Sequence, residues 1–124
     1  MKLRILGNSV RLRVSQAEMS QIRSEGVVRQ HVAFGPGRRL AYELCTVAGG
    51  RVGASFDEEC IRVTLPRAVA ERWQAPDEVS ISGEQELPGG ARLKILVEKD
   101  FQCLVPREDE DQSGLFPNPQ KSES

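Results

Sequence analysis

The chain is poor in the residues that build catalytic and metal sites. Its 124 residues include one histidine, and its three cysteines, Cys45, Cys60 and Cys103, form no Cys-x-x-Cys pair. A structural zinc site usually takes its ligands from close local pairs, so this spacing argues against a metal. The odd number of cysteines argues against a disulfide framework, and we predict reduced, mostly buried thiols. We also expect no cofactor.

Catalytic motifs are missing too. The spacing of the residues yields no Ser-His-Asp or Cys-His arrangement and no glycine-rich phosphate loop. His31 lies in an alternating segment, which indicates a partly exposed strand residue. The Gly-Pro-Gly run at 35–37 and the Pro-Gly-Gly run at 88–90 are typical of hairpin turns. We therefore predict a protein that is not an enzyme and that acts by binding.

Apolar stretches are short throughout the chain. None is long enough to span a bilayer, and an alternating pattern begins at the first residues without an apolar signal core. These features predict a cytoplasmic protein with no membrane partner.

Charged residues are ordinary in number but uneven in distribution. They make up 28% of the chain, and the net charge of -1 gives no global attraction to nucleic acid. Residues 1–51 nevertheless carry a net charge of +6, whereas residues 52–124 carry −7. Attraction to an anionic partner is therefore expected only in the N-terminal half. The length suits one compact domain, which we place at residues 1–105 with halves at about 1–50 and 51–105.

The first half reads as two strands, a helix and two strands. Residues 2–6 and 10–14 alternate around a Gly-Asn-Ser turn, which predicts a hairpin. Ser15 and Glu18 fit a capping box, which predicts a helix that runs to about residue 24. Two further strands are expected at 27–34 and 40–47.

The second half repeats this order. Strands are expected at 51–56, 60–66, 79–86 and 91–98, with a helix opened by Thr64 and Pro66. A shift of about fifty residues carries one half onto the other and matches Trp73 to Ile22, so we expect Trp73 to be at least partly buried. Because each unit alone leaves an unpaired edge, we predict an α+β fold. In it, two pseudo-repeated ββαββ units close an antiparallel β-barrel or sandwich, with two short helices over its ends.

Two runs resemble a known family of regulators. "GNSVRLRVSQAE" and "IRVTLPRAVAERWQAPDEVSI" are similar to the swapped-hairpin AbrB and MazE antitoxin pattern. The resemblance implies a barrel that two ββαββ chains form together, with an arginine-bearing hairpin surface that binds DNA. One chain here would resemble a fused dimer. The motif matches Asn8, Ser9, Arg11 and Arg13 in the first half, but only the strand and the helix start at Pro66 in the second.

A closer resemblance covers nearly the whole chain. The "KLRILGNSVRLR" start and the "EKDFQCL" segment with its "FPNP" tail are similar to a group of small bacterial proteins of unknown function. This resemblance implies a bacterial origin and implies no activity.

The residues support two hypotheses about function. In the first, an AbrB-like binding or regulatory module uses a positive face to contact phosphates, and Asn8 reaches a base edge. In the second, the chain is a small-ligand or partner-protein binding domain without nucleic-acid contact, and the arginines are a solvated strand face. The candidate DNA-binding residues are Arg4, Asn8, Ser9, Arg11, Arg13, Arg38 and Arg39.

Residues 106–124 differ in composition from the rest. They are acidic at 108–111 and then rich in proline and serine, which predicts a tail that leaves the domain. Leu115 and Phe116 interrupt this pattern, and we predict that they dock on the barrel or on a partner. The acidic run is then placed to cover the N-terminal arginines.

Overall fold

The computed structural model describes residues 1–100. The predictions on Cys103, on Leu115 and Phe116 and on the tail at 106–124 lie outside the described residues. Eight strands, two α-helices and one 3₁₀ turn at Pro88–Gly90 occur in the described part. Their bounds are β1 (Lys2–Ile5), β2 (Ser9–Val14), α1 (Gln16–Glu25), β3 (Val27–Gly35), β4 (Arg38–Val47), β5 (Gly53–Asp57), β6 (Cys60–Pro66), α2 (Arg67–Trp73), β7 (Ser80–Glu86) and β8 (Arg92–Lys99).

The strands form two four-stranded sheets in a sandwich-like α+β arrangement. The first sheet has the order β1-β2-β8-β7, and the second has the order β3-β4-β6-β5. Neither sheet closes into a barrel, so the sandwich is the correct one of the two predicted forms. The prediction of purely antiparallel pairing is wrong at the centre of each sheet, where β2 pairs with β8 and β4 with β6 in parallel.

These parallel pairs arise because the halves exchange hairpins. After β2 the chain crosses through α1 to the other sheet, so the inner neighbour of β2 comes from the second half. Each central strand follows a hairpin turn, and in each sheet these two turns lie at the same end. The two central strands therefore run in the same direction. Each sheet thus contains the first hairpin of one half and the second hairpin of the other.

The strand register is the same in both sheets. Each residue in the first hairpin of the first half has its equivalent 51 residues later in the second half. For the second hairpin of each half the difference is 53 residues. Arg11 opposite Leu96 in the first sheet thus corresponds to Arg62 opposite Glu43 in the second. The element order recurs between the halves in the way the sequence indicates, and the pairing pattern recurs with it.

The predicted start of α1 is confirmed by its hydrogen bonds. The backbone N–H of Glu18 donates to Ser15 Oγ at 3.2 Å, and the Ser15 N–H donates to Glu18 Oε1 at 2.9 Å. Gly26 ends the helix with a left-handed φ of 81°. The start of α2 differs from the prediction, because Thr64 donates to the Gly53 carbonyl and caps no helix N–H. Pro66 alone occupies the cap position.

The core lies between the sheets and under the two helices. Leu12, Leu44, Val63 and Val97 supply its centre from the two central strands of each sheet. Trp73 is only 1% exposed, as predicted, and its indole N–H donates to the Val79 carbonyl at 3.3 Å. The hairpin turns lie at the opposite end from the helices, because each helix directly follows β2 or β6. The large apolar side chains exposed near these turns are Ile5, Leu6, Val32, Phe34 and Phe56.

Candidate functional site: a basic cleft on the first sheet

Basic residues occupy the outer face of the first hairpin. Because side chains alternate along a strand, Leu3 and Leu12 turn toward the core and their neighbours point outward. Lys2 then lies opposite Arg13 and Arg4 opposite Arg11. Directly opposed like charges destabilise a strand pair unless counter-charges offset them. The surroundings of these four residues therefore decide how much positive charge is available to a ligand.

Counter-charges cover only the helix end of this face. Glu98 on β8 is 3.3 Å from Arg13 Nη2 and 3.7 Å from Arg11 Nε. Lys2 Nζ is 3.4 Å from a carboxylate oxygen of Asp100. Arg4, which is exposed, makes no ion pair in the described chain. Positive charge therefore increases from the helix end of the hairpin toward its turn.

A cleft of about 1140 Å³ opens at this turn end. Five basic residues line it, and its acidic residues, Glu84 and Glu86, both form ion pairs with Arg92. Among residues 1–100, three of the cleft's basic side chains have no ion-pair partner, and that of Arg11 has only the contact to Glu98. The cleft is therefore net positive; its basic residues are Arg4, Arg11, Arg51, Arg92 and Lys94.

Asn8 and Ser9 stabilise the turn beside this cleft. Asn8 Nδ2 donates to the Arg92 carbonyl at 2.6 Å, and Ser9 Oγ donates to the Leu6 carbonyl at 2.6 Å. The Asn8 contact ties the hairpin turn to the start of β8 and so shapes the cleft. The amide nitrogen of Asn8 is therefore engaged within the protein.

The structure brings together only part of the predicted set. Arg4, Ser9 and Arg11 line the cleft, Arg13 lies beside it on the same face, and Asn8 supports its turn. Arg38 and Arg39 belong to β4 in the other sheet, where Arg38 pairs with Glu59 at 2.7 Å. Sequence reasoning missed the cleft residues Arg51, Arg92 and Lys94. Alternation along β8 gave a signal for Lys94, but its place beside Ser9 depends on the parallel pairing.

The equivalent face of the second sheet has a different character. Arg62 corresponds to Arg11, but Glu43 faces it and accepts its Nε hydrogen bond at 2.8 Å, which raises the pKa of Arg62. Glu43 is 7% exposed and also pairs with Arg29 at 3.4 Å. The positions equivalent to Lys2, Arg4 and Arg13 hold no charge; they are Gly53, Ser55 and Thr64. The hairpin of β5 and β6 therefore lacks the basic face that the hairpin of β1 and β2 carries.

The cysteines of the described chain are free thiols. Cys60 is buried with its Sγ 3.7 Å from Glu43 Oε1, and Cys45 is half-buried. Burial, followed by the negative charge of Glu43, raises the pKa of both thiols. They are therefore protonated at neutral pH and poor nucleophiles. No group of three or more metal-binding side chains occurs among residues 1–100, and His31 is exposed on β3.

An apolar pocket of about 570 Å³ adjoins the basic cleft between the turn ends of the two sheets. Val10 and Gln85 line both the pocket and the cleft. The Gln85 side chain also crosses between the sheets, accepting from Ala54 N–H at 2.9 Å and donating to the Ala54 carbonyl at 3.0 Å. The apolar side chains that line the pocket are Val10, Leu40, Ala54, Phe56, Ile61, Leu87 and Leu93.

The fold and the site together define an α+β sandwich-like protein with exchanged hairpins and one basic cleft. The chain belongs to a family described as a family of unknown function (DUF7009), whose model matches residues 1–120. This match confirms the predicted membership of an uncharacterised domain family. No curated protein and no solved structure matches the chain. Within the described part, both helices are too short or too polar to cross a membrane.

Proposed function

We propose that the chain is a non-catalytic binding module of AbrB-like type whose basic cleft binds nucleic-acid phosphates. The observation that carries this proposal is the exchange of hairpins between the halves, combined with a basic face on one sheet. Hairpin exchange is the arrangement that the AbrB resemblance implies for two subunits. In this chain the two halves, which we take to descend from a duplication, occupy the places of those subunits.

The contrast between the two sheets supports a binding role for the first. Arg62 is held by a buried carboxylate, whereas its counterpart Arg11 lies opposite the apolar Leu96. A carboxylate in the place of Leu96, as Glu43 is opposite Arg62, would have paired with Arg11 and reduced the positive charge of the cleft. Leu96 brings no counter-charge to Arg11, whose ion pair is the 3.7 Å contact to Glu98, and Arg4 and Lys94 are exposed beside it.

Because the hairpin of β5 and β6 lacks the basic face of β1 and β2, the module contacts one stretch of the DNA phosphate backbone and makes no second, symmetry-related contact. Four phosphate contacts, from Arg4, Arg11, Arg51 and Lys94, would give a salt slope of about −3.6 on duplex DNA. Binding should then weaken by roughly 150-fold between about 50 and 200 mM salt. Contacts of this kind position a protein on DNA, so sequence preference would depend on groups such as the amide oxygen of Asn8.

Fluorescence anisotropy on a labelled random-sequence duplex of about 30 base pairs tests the proposal. Replacing Arg4 and Arg11 by alanine should reduce the salt slope by about 1.8 and weaken binding at low salt. The matched control, Arg38→Ala with Arg39→Ala, removes the same charge from the second sheet and should leave the slope unchanged. Equal losses in both variants would place binding outside the cleft, and native protein that does not bind at low salt refutes the proposal.

The apolar pocket favours a second candidate function. Its volume and lining suit a small apolar ligand or an apolar side chain of a partner protein, with no nucleic acid involved. The free Cys45 and Cys60 support the cytoplasmic location that either function would have.

A further inference from the structure

We infer that residues 108–116 of this chain bind the cleft and the adjoining pocket and thereby compete with an anionic ligand. The acidic run at 108–111 would occupy the basic cleft, and Leu115 and Phe116 would enter the apolar pocket. This inference rests on the proposed function for what is displaced, but the docking itself does not depend on it.

The described chain ends within reach of this contact. The N–H of Asp100 donates to the Val14 carbonyl at 2.8 Å, immediately before α1, so the described chain ends at the helix end of the first sheet. Leu93, at the pocket, lies seven residues back along β8, or roughly 23 Å away. Residues 101–114 span up to roughly 45 Å when extended. Leu115 therefore reaches the pocket with chain to spare.

The order of residues matches the order of surfaces. A segment that runs back from Asp100 toward the turns passes the basic cleft before it reaches the apolar pocket. In the sequence the acidic run likewise precedes the apolar pair, and three residues separate Asp111 from Leu115. The two surfaces adjoin at Val10 and Gln85, so this short spacing suffices.

Charge and polarity are also complementary. Four consecutive carboxylates in the run face a cleft in which Arg4, Arg51 and Lys94 lack ion-pair partners among the described residues. The pocket is lined mainly by apolar atoms, and Phe56 at its edge is 65% exposed. Leu115 and Phe116 are the only large apolar residues after Val105 in the sequence. Burial of these two side chains supplies the anchor, and the carboxylates supply the competition with phosphate.

Methyl NMR of the full chain tests the docking step without any nucleic acid. The Leu115→Ala, Phe116→Ala variant should move the methyl resonances of the pocket residues Leu40, Leu87 and Leu93. The control Phe34→Ala removes another aromatic ring near the turns, 70% exposed and outside the pocket lining, and should leave these resonances in place. Unchanged resonances in the double variant, or equal movement in the control, would overturn the docking.

Anisotropy of the labelled duplex tests the competition. The variant E108Q/D109N/E110Q/D111N should bind the duplex at low salt at least about tenfold tighter than the control E25Q/E71Q/D77N/E78Q. The control removes the same charge from exposed carboxylates outside the cleft. Equal affinities would overturn the competition. If no variant binds the duplex, the proposed function fails, whereas the methyl resonances still decide the docking.

Discussion

The turn between β5 and β6 contains two residues other than glycine with positive φ. Glu58 and Glu59 have φ values of 49° and 61°, and Asp57 pairs with Cys60 on either side of them. Positive φ at both central residues is the type I′ geometry, which favours Asn-Gly because other side chains are strained there. The equivalent turn of the first half has Gly7 at the position of Glu58, with a φ of +56°. We expect the double substitution Glu58→Asn, Glu59→Gly to stabilise the protein.

The magnitude follows from three opposing effects. A left-handed residue with a side chain costs about 1 to 2 kcal/mol, and the substitution relieves most of that at Glu59 and part of it at Glu58. The added glycine costs roughly 0.5 to 1 kcal/mol in chain entropy. Loss of the exposed Arg38–Glu59 pair costs at most about 1 kcal/mol. The expected net gain is about 1 kcal/mol, which corresponds to a rise of roughly 4 °C in Tm.

Urea and thermal unfolding of the two proteins, followed by circular dichroism, measure this gain. The single variant Glu58→Asn keeps the ion pair and should account for part of the increase. Arg38→Ala provides the cost of the ion pair alone. An equal or lower midpoint for the double variant, after correction for that cost, would show that the two glutamates are not strained in this turn.

Four further predictions concern the core, the Gln85–Ala54 contact between the sheets, the dependence of stability on pH, and the thiols. Trp73→Ala should lower the free energy of unfolding by about 3 to 5 kcal/mol, because the ring is fully buried, and urea unfolding would show a smaller loss if it is not. Gln85→Ala should cost about 1 to 3 kcal/mol by leaving both Ala54 backbone groups unpaired, and an unchanged urea midpoint would count against this bridge. Burial raises the pKa of Glu18, but hydrogen bonds from the amino terminus and Ser15 outweigh it, so the pKa lies below the ordinary 4.5. That stabilisation is complete above 4.5 and is lost as pH falls through the folded value, so Glu18→Gln should flatten the loss of stability on acidification. In a Cys103→Ser variant, Cys60 should react with a thiol reagent only on unfolding, whereas rapid native reaction of both remaining thiols would contradict its burial.

Local patterns in the sequence were sufficient for the secondary structure. Alternation predicted the eight strands of residues 1–100, the Ser15–Glu18 spacing predicted the capping box, and the match of Trp73 to Ile22 predicted a ring that is at least partly buried. Such features depend on residues a few positions apart and on the two periodicities of strand and helix. The repetition of order between the halves was visible for the same reason.

Pairing between distant strands was decided only in the tertiary structure. Hydrophobic alternation is satisfied equally by parallel and antiparallel neighbours, so nothing local indicated that β2 would lie beside β8. The pairing of β2 with β8 puts Lys94 beside Ser9 and Leu96 beside Arg11. In the second sheet the pairing of β4 with β6 puts Glu43 beside Arg62. A run of arginines in the sequence specifies charge but not counter-charge. The positive cleft therefore exists because of which strands meet, while the basic residues that line it were already present in the sequence.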